Sequence, residues 1–178
     1  DWSFRRSNWF KAMEKECKNV KENVGLLDMT AFAKCRIKGP KAEEFLDNLV
    51  ANKLPKKIGR INLCHALNTK GGVHSEFTIM REAEDSFYLV SAGAFQRLDH
   101  DWILKWMPSD GSVQFENLTN STGVLVVSGP KARDLMKKVS KDDFSNENFK
   151  WLSSKKVDIG YAPCTAMRVN FVGELGWE

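Results

Sequence analysis

The chain has 178 residues, of which 42% are hydrophobic and 28% charged, and a formal net charge of +4. This composition excludes a disordered chain and fits one sizeable domain or two small ones. The basic residues are interleaved with acids, as in Lys141-Asp142-Asp143, so we do not expect a nucleic-acid-binding protein. The sequence contains no run of the roughly 20 apolar residues that a membrane span needs, so no membrane partner is predicted.

The four cysteines, at 17, 35, 64 and 164, are widely scattered. None are at Cys-x-x-Cys spacing, so neither a zinc site nor another metal site is predicted. Scattered cysteines are typical of reduced, mostly buried thiols in a reducing compartment. Together with the lysine content this favours the cytoplasm, with the mitochondrial matrix as the alternative.

Helices are predicted where apolar residues recur at three- and four-residue spacing. The first runs over 9–23, with Ser7 or Asn8 as its cap and Gly25 at its end. The next follows Pro40 and carries on one face Ala42, Phe45, Leu46, Leu49 and Val50. Two others cover 93–107 and run from Pro130 to Val139. Alternating or branched apolar residues predict strands over 31–38, 61–67, 73–80, 87–91, 112–118, 123–128 and 164–172, with a short apolar turn or strand over 26–30 and a polar turn over 81–86.

One sequence pattern occurs twice: Lys38-Gly39-Pro40-Lys41-Ala42 and Ser128-Gly129-Pro130-Lys131-Ala132. Each copy follows a predicted strand and opens a predicted helix. Either Gly-Pro is simply a good strand-to-helix turn, or an α/β unit is duplicated. Both interpretations predict an α+β fold with antiparallel sheets, and no Gly-x-Gly-x-x-Gly motif indicates a dinucleotide site.

The first candidate site follows the glycine turn Gly71-Gly72. Period-two alternation in the strand after it predicts His74, Glu76 and Thr78 on one face. The simpler interpretation is a hairpin with one polar, solvent-facing side. We expect His65 to be a core or sheet residue rather than a ligand.

The second candidate site is the segment 171–178, in which Glu174 and Glu178 stand among glycines and aromatic residues. Such a loop lets the backbone approach a flat ligand while a carboxylate meets the ligand's edge. A surface turn with two exposed acids is the alternative.

These acid-bearing segments belong to a set of motifs that resembles the aminomethyltransferase superfamily, which includes the glycine-cleavage T-protein, dimethylglycine and sarcosine dehydrogenases, and a dimethylsulfoniopropionate demethylase. The motifs occur in order along nearly the whole chain, and together they are specific. They are Arg6-Ser7-Asn8-Trp9-Phe10, Val24-Gly25-Leu26-Leu27-Asp28-Met29-Thr30, Leu67-Asn68-Thr69-Lys70-Gly71-Gly72-Val73, Gly129-Pro130-Lys131-Ala132 and Gly173-Glu174-Leu175-Gly176-Trp177-Glu178. The first and last are typical of the dimethylglycine and sarcosine dehydrogenase branch.

The resemblance implies a folate-binding domain of antiparallel sheets with packed helices, including a ferredoxin-like element, and a tetrahydrofolate site. Glu178 matches the acid that pairs with adjacent N–H groups of the pterin edge. Glu76 matches the acid held near the reactive folate nitrogens, where T-proteins carry aspartate. Leu67 matches a cofactor-binding position. Phe171 stands where T-proteins have a tyrosine, so the hydrogen bond of that hydroxyl is lost.

The chemistry implied by the resemblance is one-carbon transfer. Oxidation of an N-methyl amine elsewhere in the enzyme gives an iminium, a folate nitrogen attacks it, and a nearby carboxylate stabilises the cation and relays a proton. We expect residues 1–178 to be an incomplete folate-binding domain, without the upstream FAD domain and the downstream part. We therefore expect this chain alone to be inactive and to bind folate weakly or not at all.

Two alternatives to the dehydrogenase branch remain. One is a T-protein or a folate-dependent demethylase. The other is a non-catalytic relative that keeps the fold for folate binding or regulation.

Overall fold

A computed structural model describes residues 2–170 and 173–178, which form two compact units. The first unit comprises residues 1–28, 125–151 and 155–178, and the second comprises residues 29–124 and 152–154. The helices are α1 Phe10–Glu22, α2 Ala42–Leu49, α3 Gln96–Trp106 and α4 Ala132–Val139. The strands are β1 Gly25–Asp28, β2 Ala33–Lys38, β3 Ile61–Leu67, β4 Val73–Ala83, β5 Ser86–Ser91, β6 Gln114–Asn117, β7 Leu125–Ser128, β8 Ser154–Ile159, β9 Ala162–Met167 and β10 Gly176–Trp177.

The second unit is built on a five-stranded antiparallel sheet in the order β3-β4-β5-β2-β6. Alternate residues of its strands, such as Ile37, Phe77 and Leu89, are buried in one hydrophobic cluster. Phe45 and Leu46 of α2 and Ile103 of α3 complete that cluster, because their helical spacing places them on one face of each helix. The strand β4, which carries the first candidate site, pairs with β3, which lies at an edge of this sheet.

The first unit contains a three-stranded sheet in the order β1-β7-β10 and the hairpin β8-β9. Its core surrounds Trp177, which is buried against Phe144 and Phe149 with ring centroids 5.2 and 6.1 Å away. Ala132 and Met136 of α4 join this core, whereas no residue of α1 is buried. None of the described helices has the length and apolar composition needed to cross a membrane.

The two copies of the repeated pattern have the same local structure. Gly39 and Gly129 have φ values of +129° and +130°, and each is followed by an eight-residue helix that starts at a fully buried alanine. The backbone N–H of Lys41 donates to Ser112 O at 3.3 Å, and that of Lys131 donates to Asn23 O at 2.8 Å. A tight turn explains the geometry of each copy by itself, so the duplication remains a hypothesis.

The α+β fold with antiparallel sheets and packed helices is confirmed, but several local predictions are wrong. Neither Ser7 nor Asn8 caps α1, whose N-cap is Trp9, and Gly25 starts β1 instead of ending the helix. The predicted polar turn over 81–86 is shorter, because β4 continues through Arg81 to Ala83. The strand β8 was not predicted, and the predicted strand over 164–172 is shifted to Ala162–Met167.

Candidate functional site

Glu76 lies in β4, directly opposite His65 of β3 in the antiparallel register. The Oε2 atom of Glu76 and the Nε2 atom of His65 are 3.0 Å apart. The Glu76 side chain is 55% exposed and that of His65 is 31% exposed, so the pair faces solvent rather than the core. Its neighbours Ser75 and Phe77 are buried, which confirms the predicted alternation at this point.

His74 does not share the face of Glu76, contrary to the prediction. A β-bulge between Ala66 and Leu67 leaves it without a partner on β3, because Ala66 pairs with Ser75 and Leu67 with Val73. An extra residue in one strand breaks the period-two alternation. The His74 ring instead stacks on Trp102 of α3, with centroids 4.0 Å apart, and its Nδ1 lies 2.8 Å from Ser75 Oγ.

Asn52 holds His65 from the chain segment that follows α2. Its Oδ1 accepts a hydrogen bond from the backbone N–H of His65 at 3.0 Å and lies 3.3 Å from His65 Nδ1. The backbone N–H of Ala51 also donates to His65 O at 2.9 Å, which ties this segment to the edge of β3. The sequence analysis placed His65 in the sheet or core and did not single out Asn52, because only the strand register reveals that His65 meets Glu76 and that Asn52 holds His65.

Apolar side chains flank this pair on the same exposed face of β3. Leu63 and Leu67, two residues before and after His65, are 50% and 37% exposed. Thr78 lies opposite Leu63 on β4. We call the surface formed by Leu63, His65, Leu67, Glu76 and Thr78 the Glu76 face. It combines one acid with apolar area that a flat heterocycle could cover.

Glu178 belongs to the other unit, where its backbone forms a reciprocal pair with Met167. The Glu178 N–H donates to Met167 O at 2.9 Å, and the Met167 N–H donates to Glu178 O at 2.7 Å. Burial raises the pKa of the Glu178 carboxyl above its ordinary value, because water that would solvate the charge is excluded. Such a carboxylate is suited to accept paired N–H donors from a ligand.

Two buried polar atoms near the same end of the chain have no hydrogen-bond partner among the described residues: Glu174 Oε2 and Trp177 Nε1. Buried polar atoms without partners are uncommon in native proteins, so a water, an ion or a ligand group is expected to meet such atoms. Phe171, the third residue proposed for the folate site, lies outside the described residues. No cluster of three metal-ligating side chains occurs in residues 2–170 and 173–178.

Comparison with known proteins finds relatives that match nearly the whole of this chain. The chain is 38% identical over 177 residues to mitochondrial dimethylglycine dehydrogenase of Rattus norvegicus, covering 99% of this chain and 20% of that protein. It is 29% identical over 178 residues to a 4-methylaminobutanoate oxidase (formaldehyde-forming) of Paenarthrobacter nicotinovorans, covering 100% of this chain and 22% of that protein. The mitochondrial pyruvate dehydrogenase phosphatase regulatory subunit of Mus musculus is 31% identical over 178 residues, covering 98% of this chain and 20% of that protein. The chain thus spans about a fifth of the length of these relatives.

The fold is matched by a solved structure, the glycine cleavage system aminomethyltransferase T from Bartonella henselae. The TM-score is 0.78 at 22% sequence identity, with 92% of this chain and 43% of that chain covered. The family model described as the GCVT N-terminal domain matches residues 1–178. This chain therefore belongs to the GCVT N-terminal domain family.

Proposed function

We propose that this chain is the part of a longer protein that binds tetrahydrofolate and passes to it a one-carbon unit from an N-methyl amine. The observation that carries the proposal is the exposed carboxylate of Glu76, which His65 holds at 3.0 Å on a partly apolar face. The relatives named dimethylglycine dehydrogenase and 4-methylaminobutanoate oxidase support an N-methyl amine as the one-carbon source.

The proposed roles of Glu76 and Leu67 suit the surroundings that the structure gives them, and that of Phe171 rests on the resemblance alone. Glu76 would stabilise the cationic one-carbon donor and accept or relay a proton, since an anionic oxygen is favourable where positive charge develops. Leu67 would contact the flat face of the ligand through the exposed part of its side chain. Phe171 would add aromatic area from its own segment.

Glu178 would accept two N–H groups of the pterin edge. Its desolvated carboxylate fits such a ligand, because paired donors would replace the water that burial removes. The unpartnered Glu174 Oε2, in the same segment, fits a ligand that supplies a hydrogen-bond donor. Tetrahydrofolate supplies the nitrogens that take up the one-carbon unit, and these residues would bind and orient it.

The oxidation itself belongs, in this proposal, to an upstream FAD domain of the longer protein. The length of the relatives supports this division, since the chain covers only 20% of dimethylglycine dehydrogenase. Their mitochondrial names also support the mitochondrial matrix over the cytoplasm as the compartment.

The deciding experiment measures the one-carbon product of the intact protein with an N-methyl amine and tetrahydrofolate. Glu76→Ala should lower formation of methylene-tetrahydrofolate about a hundredfold, the usual size of a general acid–base contribution, while amine oxidation continues and formaldehyde accumulates. The exposed acid Glu147 offers a matched control, Glu147→Ala, which should leave the product ratio unchanged. Unchanged transfer in Glu76→Ala would refute the proposal.

A second candidate function is regulation without catalysis. It is favoured by the 31% identity to a protein named as a regulatory subunit. In that case the intact protein would bind folate or a protein partner but would convert no N-methyl amine. An intact protein with no flavin absorbance and no turnover would favour this alternative.

A further inference from the structure

The carboxylate of Glu76 has two oxygens in different surroundings. Oε2 contacts His65 Nε2 at 3.0 Å, whereas no described residue forms a hydrogen bond with Oε1. The side chain is 55% exposed, so Oε1 is open to a ligand. Without His65 a glutamate at such an exposed position would sample several rotamers.

The orientation of the His65 ring is fixed by Asn52. The backbone N–H of His65 can only donate, so the Asn52 atom 3.0 Å from it must be the amide oxygen. The same oxygen lies 3.3 Å from His65 Nδ1. A ring turned by 180° would place a carbon instead of Nδ1 against this oxygen and a carbon against Glu76.

Both ring nitrogens of His65 therefore face oxygen atoms that accept hydrogen bonds. The contact with Glu76 is a hydrogen bond only when one proton lies between Nε2 and Oε2, on either atom. An ion pair between two exposed side chains alone would contribute little to stability. The additional anchor on Asn52 indicates a different role, which is to hold one carboxylate oxygen still.

We propose that His65 is a positioning residue for Glu76: anchored by Asn52, it holds Oε2, shares one proton with it and leaves Oε1 directed at the one-carbon donor. The role in transfer rests on the proposed function, whereas the hydrogen-bonded chain Asn52–His65–Glu76 does not. Outer hydrogen-bond partners of this kind fix the geometry that a reactive group needs.

The hydrogen-bonded chain can be tested without any activity measurement. The ring N–H groups of exposed histidines exchange too quickly with water to be seen by NMR, but one held in a hydrogen bond is protected. We expect a visible His65 ring N–H in the 178-residue chain and its loss in Glu76→Ala and in Asn52→Ala. A native spectrum without that signal would overturn the inference.

The role in transfer is tested in the intact protein with His65→Ala and the conservative His65→Gln, whose amide can still donate to Oε2. We expect His65→Ala to lower the rate of methylene-tetrahydrofolate formation about tenfold at an unchanged folate Kd, and His65→Gln to restore most of that rate. Equal rates in native protein and His65→Ala would overturn the positioning role. If the native protein itself formed no methylene-tetrahydrofolate, the proposed function would fail, while a visible ring N–H would leave the hydrogen-bonded chain intact.

Discussion

Arg81 of β4 and Glu43 of α2 form an ion pair in which Nη2 and Oε2 are 2.8 Å apart, the arginine buried and the acid half-exposed. The guanidinium also donates to the backbone oxygens of Ala83, Glu84 and Pro55, at 3.3, 2.5 and 3.5 Å. Its guanidinium lies over Phe87, with the guanidinium carbon 5.1 Å from the ring centroid. One side chain thus joins a helix, a strand and the turn that follows the strand.

We expect Arg81→Met to lower the free energy of unfolding by about 2–4 kcal/mol, because three carbonyls and one carboxylate lose their donor. Urea denaturation followed by circular dichroism measures this change. The control is Arg97→Met, since Arg97 is exposed and meets Asp101 only at 3.7 Å, so the change should stay within about 0.5 kcal/mol. Equal effects of the two substitutions would contradict the role assigned to Arg81.

The same ion pair predicts a pH dependence. The hydrogen bond from Arg81 is the largest cause that lowers the pKa of Glu43, so the fold favours the ionised acid. The stability from this pair is present above the pKa of an unfolded glutamate and is lost as pH falls through the lowered, folded value. Glu43→Gln should therefore flatten the acid limb of the stability curve measured by urea titration. An acid limb identical to that of the native chain would contradict this.

Glu178→Gln should stabilise the chain at neutral pH, because the pKa of Glu178 is shifted in the opposite direction to that of Glu43. Burial raises the pKa of Glu178, so the fold disfavours the charged form, and stability falls as pH rises through the raised value. The advantage of the glutamine should disappear in acid, where the carboxyl is protonated in both folded and unfolded chains. Thermal melts at several pH values measure this difference in stability. Glu147→Gln is the control, since Glu147 is exposed. A Glu178→Gln variant less stable than the native chain at neutral pH would contradict the prediction.

The four thiols should react in two groups. Burial, and then the nearby charge of Asp99, raises the pKa of the Cys35 thiol to about 12, and burial raises that of Cys64 to about 11. Neither forms thiolate at pH 8, and neither is accessible. With a chromogenic disulfide reagent we expect Cys17 to react first, Cys164 next, and the other two only after unfolding. Cys17→Ser should remove the fast phase, and rapid labelling of Cys35 in folded protein would contradict the core described here.

Gly39 and Gly129 should tolerate no side chain. Both have φ near +130°, and a Cβ at Gly129 would lie 2.5 Å from Asn23 O, while one at Gly39 would overlap Ser112 O. Backbone strain and overlap together should cost about 3 kcal/mol or more for either alanine substitution, measured by urea denaturation. Gly71→Ala is the matched control, because Gly71 also has positive φ, +81°, but nothing lies within 4 Å of its Cβ position. If Gly71→Ala cost as much stability as the other two substitutions, the loss would be due to backbone strain at positive φ and not to overlap of the added Cβ.

The sequence was a good guide where one face of an element is buried and the other is not. The strand β3 was predicted with its observed bounds, and the buried residues Phe45 and Leu46 of α2 were recognised from their spacing. Arg81 was misplaced in a turn because a charged residue is rarely buried, and its partners come from distant parts of the chain.

The candidate site was predictable only in part. Glu76 was found from its strand, but the histidine predicted to share its face was His74, two residues away on β4, whereas the histidine that contacts it is His65 across the hairpin. A one-residue bulge decides between them, and nothing in the local sequence indicates that Ala66 pairs with Ser75 while Leu67 pairs with Val73. The requirement that Glu76 and Glu178 approach the same ligand stays a prediction, since the two residues belong to different units.

The division of the chain has a consequence for biosynthesis. β1 pairs with β7, and β10 then pairs with β7 on its other side, yet residues 29–124 are translated between β1 and β7. The second unit, apart from residues 152–154, is translated before β7, so β1 has no strand partner in its sheet until β7 follows. Glu178, next to β10, is translated later still, so the carboxylate proposed to recognise the pterin takes its place after β3 and β4 with the Glu76 face have been made.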